Sequence, residues 1–332
     1  MSIQEKVYNW LKSKEPLNVA FHRWRELVSL WWIDADGVYS CALISEIFEI
    51  KNIYSPDRFG DYSFFSTGDK IEKVDLSLDL GQPLDDKFEG VSIDHHVHEA
   101  PYYTLIWDRY PTAVIVYLTF KDKIPRDKYW YVAGGAVGDG QPEVIPDEIW
   151  EAHPSLLDEF CSIYQSGGQV RLYPMPLYRH LSSPVNALCR IGGAIEAVNI
   201  VRECKRPEDL IRHPTLQDAQ RKLANEERSI LSNFKPRCIR GSVYLMVIES
   251  EYYIAGRIAS KLKSSKGFKT FIVINLTKRE MSIRGDLAGY IGRRLKKRNI
   301  YCGGHPGYFG GEIKSEDDID VIIATVREMF GG

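Results

Sequence analysis

Four short acidic clusters, each closing an apolar segment, constrain this chain more than any other feature. They are Asp34-Ala-Asp36-Gly37, Asp79-Leu-Gly81, Asp94-His95-His96 and Gly138-Asp139-Gly140. The segments ahead of them are Leu27–Ile33 (LVSLWWI), Val74–Leu80 (VDLSLDL), Val91–Ile93 (VSI) and the run YVAGGAV. Short apolar runs bounded by turn-forming residues read as buried strands. Between the first two, Val38–Ile50 (VYSCALISEIFEI) has helical spacing, and between the third and fourth, Thr112–Phe120 (TAVIVYLTF) fits either helix or strand. Strands alternating with helices predict an α/β domain with a mainly parallel sheet. In such a sheet ligands gather beyond the carboxyl ends of the strands. The four clusters are therefore expected to converge.

Taken singly, each cluster has an ordinary explanation. Asp-x-Asp-Gly is a common turn or helix cap, and Asp139 between glycines suits a loop. Together they bring several anions to one place, where they repel unless cations sit among them. Carboxylates with one or two imidazoles suit Mn²⁺ or Mg²⁺. Two such ions about 3.5–4 Å apart generate hydroxide and clamp a phosphoryl group during in-line displacement.

The remainder of the chain divides the molecule. Gln165–Pro176 contains two adjacent glycines and two prolines and is expected to be loop. Thr215–Phe234 places Leu216, Ala219, Leu223, Ile230 and Phe234 near one face, which predicts an amphipathic helix stopped by Pro236. A second α/β pattern follows, with strands at Val243–Ile248, Phe271–Leu276 and Met281–Arg284. Helices are expected at Ile254–Leu262, Asp286–Lys297 and Asp317–Phe330. At about 100–200 residues per domain, 332 residues suggest two domains. We place the first at 1–210, a connector at 211–240 and the second at 241–332.

Composition removes several classes of function. With 44% hydrophobic and 27% charged residues the chain can bury a core, which excludes intrinsic disorder as its main state. A net charge of −2 excludes a globally basic nucleic-acid coat but leaves room for a basic patch. No apolar run approaches 18 residues, so no membrane-spanning helix is expected. The opening MSIQEKVYNWLKSKEP lacks the apolar stretch of a signal peptide, which predicts a cytoplasmic protein. The six cysteines form no Cys-x-x-Cys pair, so neither a zinc ribbon nor a disulfide framework is expected.

At this point the chain resembles the DHH phosphoesterases, a family that includes RecJ-type exonucleases, small-oligonucleotide phosphatases and manganese pyrophosphatases. WIDADG at Trp32–Gly37 is similar to the family's first motif, HxDxDG. DLG at Asp79–Gly81, IDHH at Ile93–His96 and GDG at Gly138–Gly140 resemble the next three. CGGHPGYFGG at Cys302–Gly311 resembles the glycine-histidine motif of the accessory DHHA1 domain, and SIRG at Ser282–Gly285 the strand before it. The likeness runs from about residue 25 to 311. It implies an N-terminal DHH domain with a mainly parallel sheet flanked by helices, a smaller C-terminal α/β DHHA1 domain, and an active-site cleft between them. LYRHLSSPVNALCRIGG (Leu177–Gly193) and the chain's size resemble the archaeal RecJ-like branch.

The resemblance also implies roles. Asp79 would bridge two Mn²⁺ or Mg²⁺ ions, Asp34 would hold the first, and Asp36, His95 and Asp139 the second. His96 would contact the scissile phosphate or steer the attacking water, and Asp94 would orient a neighbouring histidine. Arg284 and His305, with the Gly303–Gly304 backbone, would grip a terminal phosphate. Asp75 competes with Asp79 for the second motif, and Asp79 is preferred because it stands at the strand's end. One departure is serious: the first motif opens on a metal-binding histidine in the family, and this chain has Trp32 there. His22 or His98 would have to replace it, or the first metal site would be weaker, or catalysis would be lost.

The basic helix Gly289–Ile300 (GYIGRRLKKRNI) reads as a track for a polyanion, with Tyr301, Tyr308 and Phe309 as bases' stacking partners. Tyr252 and Tyr253 stand where a substrate-facing helix would begin. The expected activity is Mn²⁺-dependent release of nucleoside monophosphates from single-stranded DNA or RNA. The alternatives are a phosphatase for very short oligonucleotides or 3′-phosphoadenosine 5′-phosphate, and a catalytically impaired scaffold in a replication or repair complex. Expected partners are a single strand or short oligonucleotide and no membrane. A replication or repair protein and a second copy of the chain are left open.

Overall fold

A computed structural model describes residues 2–21, 35–55, 66–67, 70–71, 76–78, 90–95, 104–107, 109–166, 169–266 and 269–331. The chain separates into two compact units. Among described residues, the first takes Ser2–Phe21, Ala35–Cys189 and Gly193–Gln217, and the second takes Arg190–Gly192 and Asp218–Gly331.

In the first unit, strands β1 (Leu17–Phe21), β2 (Ile50–Tyr54), β3 (Leu76–Leu78), β4 (Val91–Asp94) and β5 (Thr104–Trp107) pair in the order β2-β1-β3-β4-β5. Every pairing is parallel, so the mainly parallel sheet is observed. The register aligns Phe21 with Leu78, Leu78 with Ile93, and Asp94 with Trp107. These two successive rows form the carboxyl end of the sheet. The expected strand Leu27–Ile33 lies outside the described residues, and β1 precedes it in the chain.

Three helices in this unit are α1 (Ala35–Ile47), α2 (Thr112–Phe120) and α3 (Trp130–Gly138). Thr112–Phe120 thus resolves as helix. The nine residues of α3 are all buried. A helix that is apolar all round carries no periodicity, so sequence pattern alone cannot separate it from a buried strand. This is why the YVAGGAV run ahead of Asp139 reads as a strand when it is a helix, and the fourth cluster ends a helix rather than a strand. The glycines of α3 allow its close approach to α1. A Cβ on Gly134 would lie 2.3 Å from the Tyr39 ring, and one on Gly135 would lie 2.4 Å from Ala113.

The Gln165–Pro176 expectation also needs correction. Strands β6 (Glu159–Ser166) and β7 (Gln169–Pro176) form an antiparallel hairpin. Both prolines fit because the ribbon has only two strands. Leu177 N–H donates to Asp158 O (2.9 Å), so by alternation the Pro174 and Pro176 nitrogens face the open edge. Helices α4 (Ser182–Arg190), α5 (Ala194–Glu203) and α6 (Pro214–Asn233) follow, the last matching the amphipathic pattern.

The second unit is a six-stranded mixed sheet. Its strands are β8 (Arg237–Arg240), β9 (Val243–Ile248), β10 (Thr270–Asn275), β11 (Glu280–Arg284), β12 (Cys302–His305) and β13 (Tyr308–Glu312), in the order β8-β9-β10-β11-β13-β12. Only β9 and β10 pair in parallel, joined through α7 (Ala255–Lys266). Helices α8 (Ala288–Lys296) and α9 (Asp317–Glu328) complete it. Ile272, Ile274, Met281, Ile283 and Phe309 meet Ala288, Ile291, Leu295, Ile322 and Val326 in one apolar core. Their alternate neighbours Phe271, Val273, Ser282 and Arg284 belong to the opposite face of the sheet. The four cysteines Cys41, Cys189, Cys204 and Cys302 are buried, Cys161 and Cys238 are exposed, and all six are free thiols. No described helix is long and apolar enough to cross a membrane.

Candidate active site

Asp94 is the last residue of β4 and is fully buried. His95 follows it at the carboxyl end of the sheet, and its Nδ1 lies 3.5 Å from Asp139 Oδ2. Both side chains are nearly inaccessible, at 5% and 10% exposure. Gln141 Nε2 donates to the same carboxylate oxygen (2.7 Å). Asp139 caps the C-terminal end of α3, where the helix dipole is negative and an anion is disfavoured. A carboxylate held there needs positive charge or donors from outside the helix, and the imidazole and Gln141 stand beside it.

Asp36 shows the opposite situation. It lies in the first turn of α1, fully buried, and its two carboxylate oxygens accept the N–H groups of Thr112 (2.6 Å) and Ala113 (2.9 Å) at the start of α2. The N-terminal ends of two helices therefore favour its negative charge. Each carboxylate oxygen can accept a second partner, so this cap does not exhaust the donor capacity of Asp36. Room for it comes from α3. A Cβ on Gly135 would stand 2.7 Å from Asp36 Oδ1, and one on Gly138 would stand 3.0 Å from Asp36 N. Sequence reading assigned no role to Gly135, Thr112 or Gln141. The Gly-x-x-Gly spacing in Gly135–Gly138 was the available signal, since i and i+3 share a helix face.

Among the sequence-derived ligands, Asp34 and Asp79 lie outside the described residues, as do His96, Trp32, His22, His98 and Asp75. Among the described residues no three His, Cys, Asp or Glu side chains form a metal-binding group. The pair that is described fits a shared cation. Two donor atoms bound side by side to one ion at about 2.1 Å lie about 3.0–3.5 Å from each other. The His95–Asp139 separation falls there, and the mixed nitrogen and oxygen set suits Mn²⁺.

The second unit carries the remaining candidates. Cross-strand register puts Arg284 opposite Tyr308 and Tyr308 opposite His305, so the three stand in one row across β11, β13 and β12. Arg284 is buried. Its Nη1 donates to Ile283 O (3.1 Å) and Phe309 O (3.2 Å), and its guanidinium lies 5.3 Å from the Tyr308 ring centre. Gly303 pairs with Gly310 in the hairpin. Gly304 has φ +151°, and a Cβ there would come within 2.1 Å of Tyr308 O, so the hairpin itself demands glycine at this position.

Nearby, Glu280 Oε2 accepts the N–H groups of Ile254 and Ala255 (3.1 Å each), which occupies the start of α7. Burial raises the Glu280 carboxyl above its ordinary range, and the positive charge of Arg190 opposes that rise. Arg190 Nη1 also donates to Tyr253 O (2.6 Å). Tyr253 is buried, with the Lys278 ammonium 5.2 Å from its ring centre, so it is packed rather than presented at the helix start.

Against known proteins, no family model and no curated protein sequence matches the chain. Solved structures do. RecJ from Thermus thermophilus, solved with Mn²⁺, aligns at a TM-score of 0.65 and 12% identity over 98% of this chain and 53% of the RecJ chain. The present chain thus spans about half the length of that RecJ. An exonuclease RecJ bound to manganese aligns at 0.62 and 13% identity, over 98% and 94% of the two chains. The DHH domain of a protein described as a member of a ribosomal-protein family aligns at 0.57 and 12% identity, over 98% and 88%. At these identities the likeness is one of fold, and it covers nearly the whole chain: an α/β architecture of the RecJ and DHH type.

Proposed function

We propose that the chain is a divalent-metal-dependent phosphoesterase, a RecJ-like exonuclease that releases nucleoside monophosphates from single-stranded DNA or RNA. The observation that carries this reading is the His95–Asp139 pair, with His95 directly after the buried Asp94, in a RecJ-type fold. In this proposal residues 1–210 form the metal-binding domain, 211–240 a connector and 241–332 the substrate-binding domain. Asp34, Asp36, Asp79, His95 and Asp139 hold two Mn²⁺ ions. When bound, the ions supply hydroxide near neutral pH and offset the charge that develops on the phosphoryl oxygens. Asp94 orients the neighbouring imidazole. His96 contacts the scissile phosphate. Arg284, Gly303, Gly304 and His305 hold the substrate's terminal phosphate, the arginine through its planar fork of donors.

Trp32 supports a second reading. Tryptophan cannot ligate a metal, and a chain that binds metal without turnover would act as a scaffold. An end-labelled single strand, incubated with the protein in Mn²⁺ or in EDTA beside Asp94→Ala/His95→Ala, separates the two. Stepwise shortening in Mn²⁺ alone, lost by at least about 10³-fold in the double variant, is expected from removal of several kcal/mol of transition-state stabilisation. Hydrolysis confined to dinucleotides would redirect the reading to a short-oligonucleotide phosphatase. No hydrolysis of DNA, RNA or dinucleotides at any Mn²⁺ concentration would leave the scaffold.

A further inference from the structure

Helix α8 buries Ala288, Gly289, Ile291, Gly292 and Leu295 against the sheet. Its other side is exposed and carries Tyr290, Arg293, Arg294 and Lys296, with the exposed Lys297 at its C-cap. Tyr290, Arg293, Arg294 and Lys297 stand at i, i+3, i+4 and i+7, which is one stripe about 10 Å long. Arg298 extends the positive charge but is paired with Glu328. Arg293, Arg294, Lys296 and Lys297 form no ion pair among the described residues. Four uncompensated cations on two turns are costly in mutual repulsion, the more so in a chain of net charge −2.

The stripe also has an aromatic component. Tyr290 is 44% exposed, the Arg294 guanidinium lies 4.9 Å from its ring centre, and Arg294 Nη2 donates to its hydroxyl (2.7 Å). The ring is thereby held in place beside the cations. Tyr301, 47% exposed, follows the helix. The stripe is separate from the Arg284–Tyr308–His305 row. Ile283 and Phe309 face α8 within the core, so their alternate neighbours Arg284 and Tyr308 face away from it.

We propose that this stripe is a second contact for single-stranded nucleic acid, distinct from the candidate phosphate-holding row. Arg293, Arg294 and Lys297 engage successive phosphates, and Tyr290 stacks on a base. Fixed aromatic rings beside long, flexible cations suit a strand that offers phosphates and flat bases together. An acidic protein surface would use the charges but not the oriented ring. The inference rests on the reading of the chain as a nucleic-acid phosphoesterase. Its consequence is that long strands are held more tightly than dinucleotides.

The test is fluorescence anisotropy of a labelled oligothymidylate of about 20 nucleotides in EDTA, from about 50 to 300 mM NaCl, with the whole chain and with Arg293→Ala/Arg294→Ala/Lys297→Ala. These residues are exposed and outside the core, and circular dichroism checks the fold. Loss of three phosphate contacts should flatten the slope of log K against log[salt] by about 2 and weaken binding at least about tenfold at about 100 mM salt. Tyr290→Ala should weaken binding with the slope unchanged. Dinucleotide hydrolysis in Mn²⁺ should stay at the parent rate in both variants. An unchanged slope and affinity in the triple variant overturns the second contact while leaving the phosphoesterase reading intact. A parent chain that hydrolyses dinucleotides but does not bind the oligonucleotide does the same. A parent chain that neither binds nor hydrolyses overturns both.

Discussion

In the first unit, Asp139 sits at the unfavourable end of a helix dipole with an imidazole 3.5 Å away, and Asp36 sits at the favourable ends of two helices. In the second unit, Arg284 lies in a sheet, its cation resting on two backbone carbonyls and beside an aromatic ring. One unit gathers anionic donors and the other gathers cations and open backbone. Glycine serves both, in different ways. In α3 it clears space around Asp36, while in β12 it meets a backbone conformation and an interstrand distance that no side chain satisfies. The same residue type thus relieves crowding between helices in one unit and meets a backbone constraint in the other.

Gly304→Ala is the strongest way to break this comparison in the second unit. The added methyl meets the carbonyl of Tyr308 at 2.1 Å in a strained backbone region. We expect a loss of about 3 kcal/mol or more, since overpacking against backbone and unfavourable φ add. Urea unfolding followed by hydrogen exchange should show it in β11, β12 and β13, with α1 and α3 unchanged. Equal loss in both units would mean that they do not unfold separately.

Asp36 separates a structural role from a ligand role in the first unit. Asp36→Ala leaves two buried amides at the start of α2 without an acceptor and should cost about 2 kcal/mol. Asp36→Asn keeps one acceptor and should cost about half as much. Both variants remove the charge. If Asp36 serves only as a cap, Mn²⁺ affinity by titration calorimetry will follow stability, with alanine worse than asparagine. If it is also a ligand, the two will lose affinity alike.

The strands of the second unit were legible because VYLMVI and FIVINL are dense in β-branched residues and bounded by turn formers. Thr215–Phe234 was legible from its apolar stripe. The β6–β7 hairpin was not, because proline argues against a strand unless the open edge is known, and a lone ribbon has such an edge. Asp94, His95 and Asp139 stand out in the sequence by motif. Convergence of the clusters anticipated that His95 and Asp139 would lie close together, but nothing local says that Asp36 reaches the amides of Thr112 and Ala113, which lie 76 and 77 residues on. The row Arg284–Tyr308–His305 is likewise a product of strand register, which pattern leaves open when both faces of a sheet are covered.

Histidine placement gives the smallest effect and sharpens the contrast between the units. Seven of the eight histidines lie outside the second unit's 218–331 segment, which contains only His305. In the first unit, burial lowers the basicity of His153 and of His180, whose ring packs 5.2 Å from Phe160 and whose Nε2 has no hydrogen-bond partner among the described residues. For each, the folded state binds a proton less readily than the unfolded chain, whose imidazoles titrate near about 6.5. The unfolded state therefore gains protons first as the pH falls, and the stability these two groups contribute above about pH 6.5 declines below it. Hydrogen exchange along a urea series at about pH 7.0 and about pH 5.5 should show the first unit opening at lower urea at the acidic pH. His180→Phe should reduce that difference, since phenylalanine fills the site without titrating. An acid shift of equal size in both units, or one unaffected by the substitution, would place the sensitive group elsewhere.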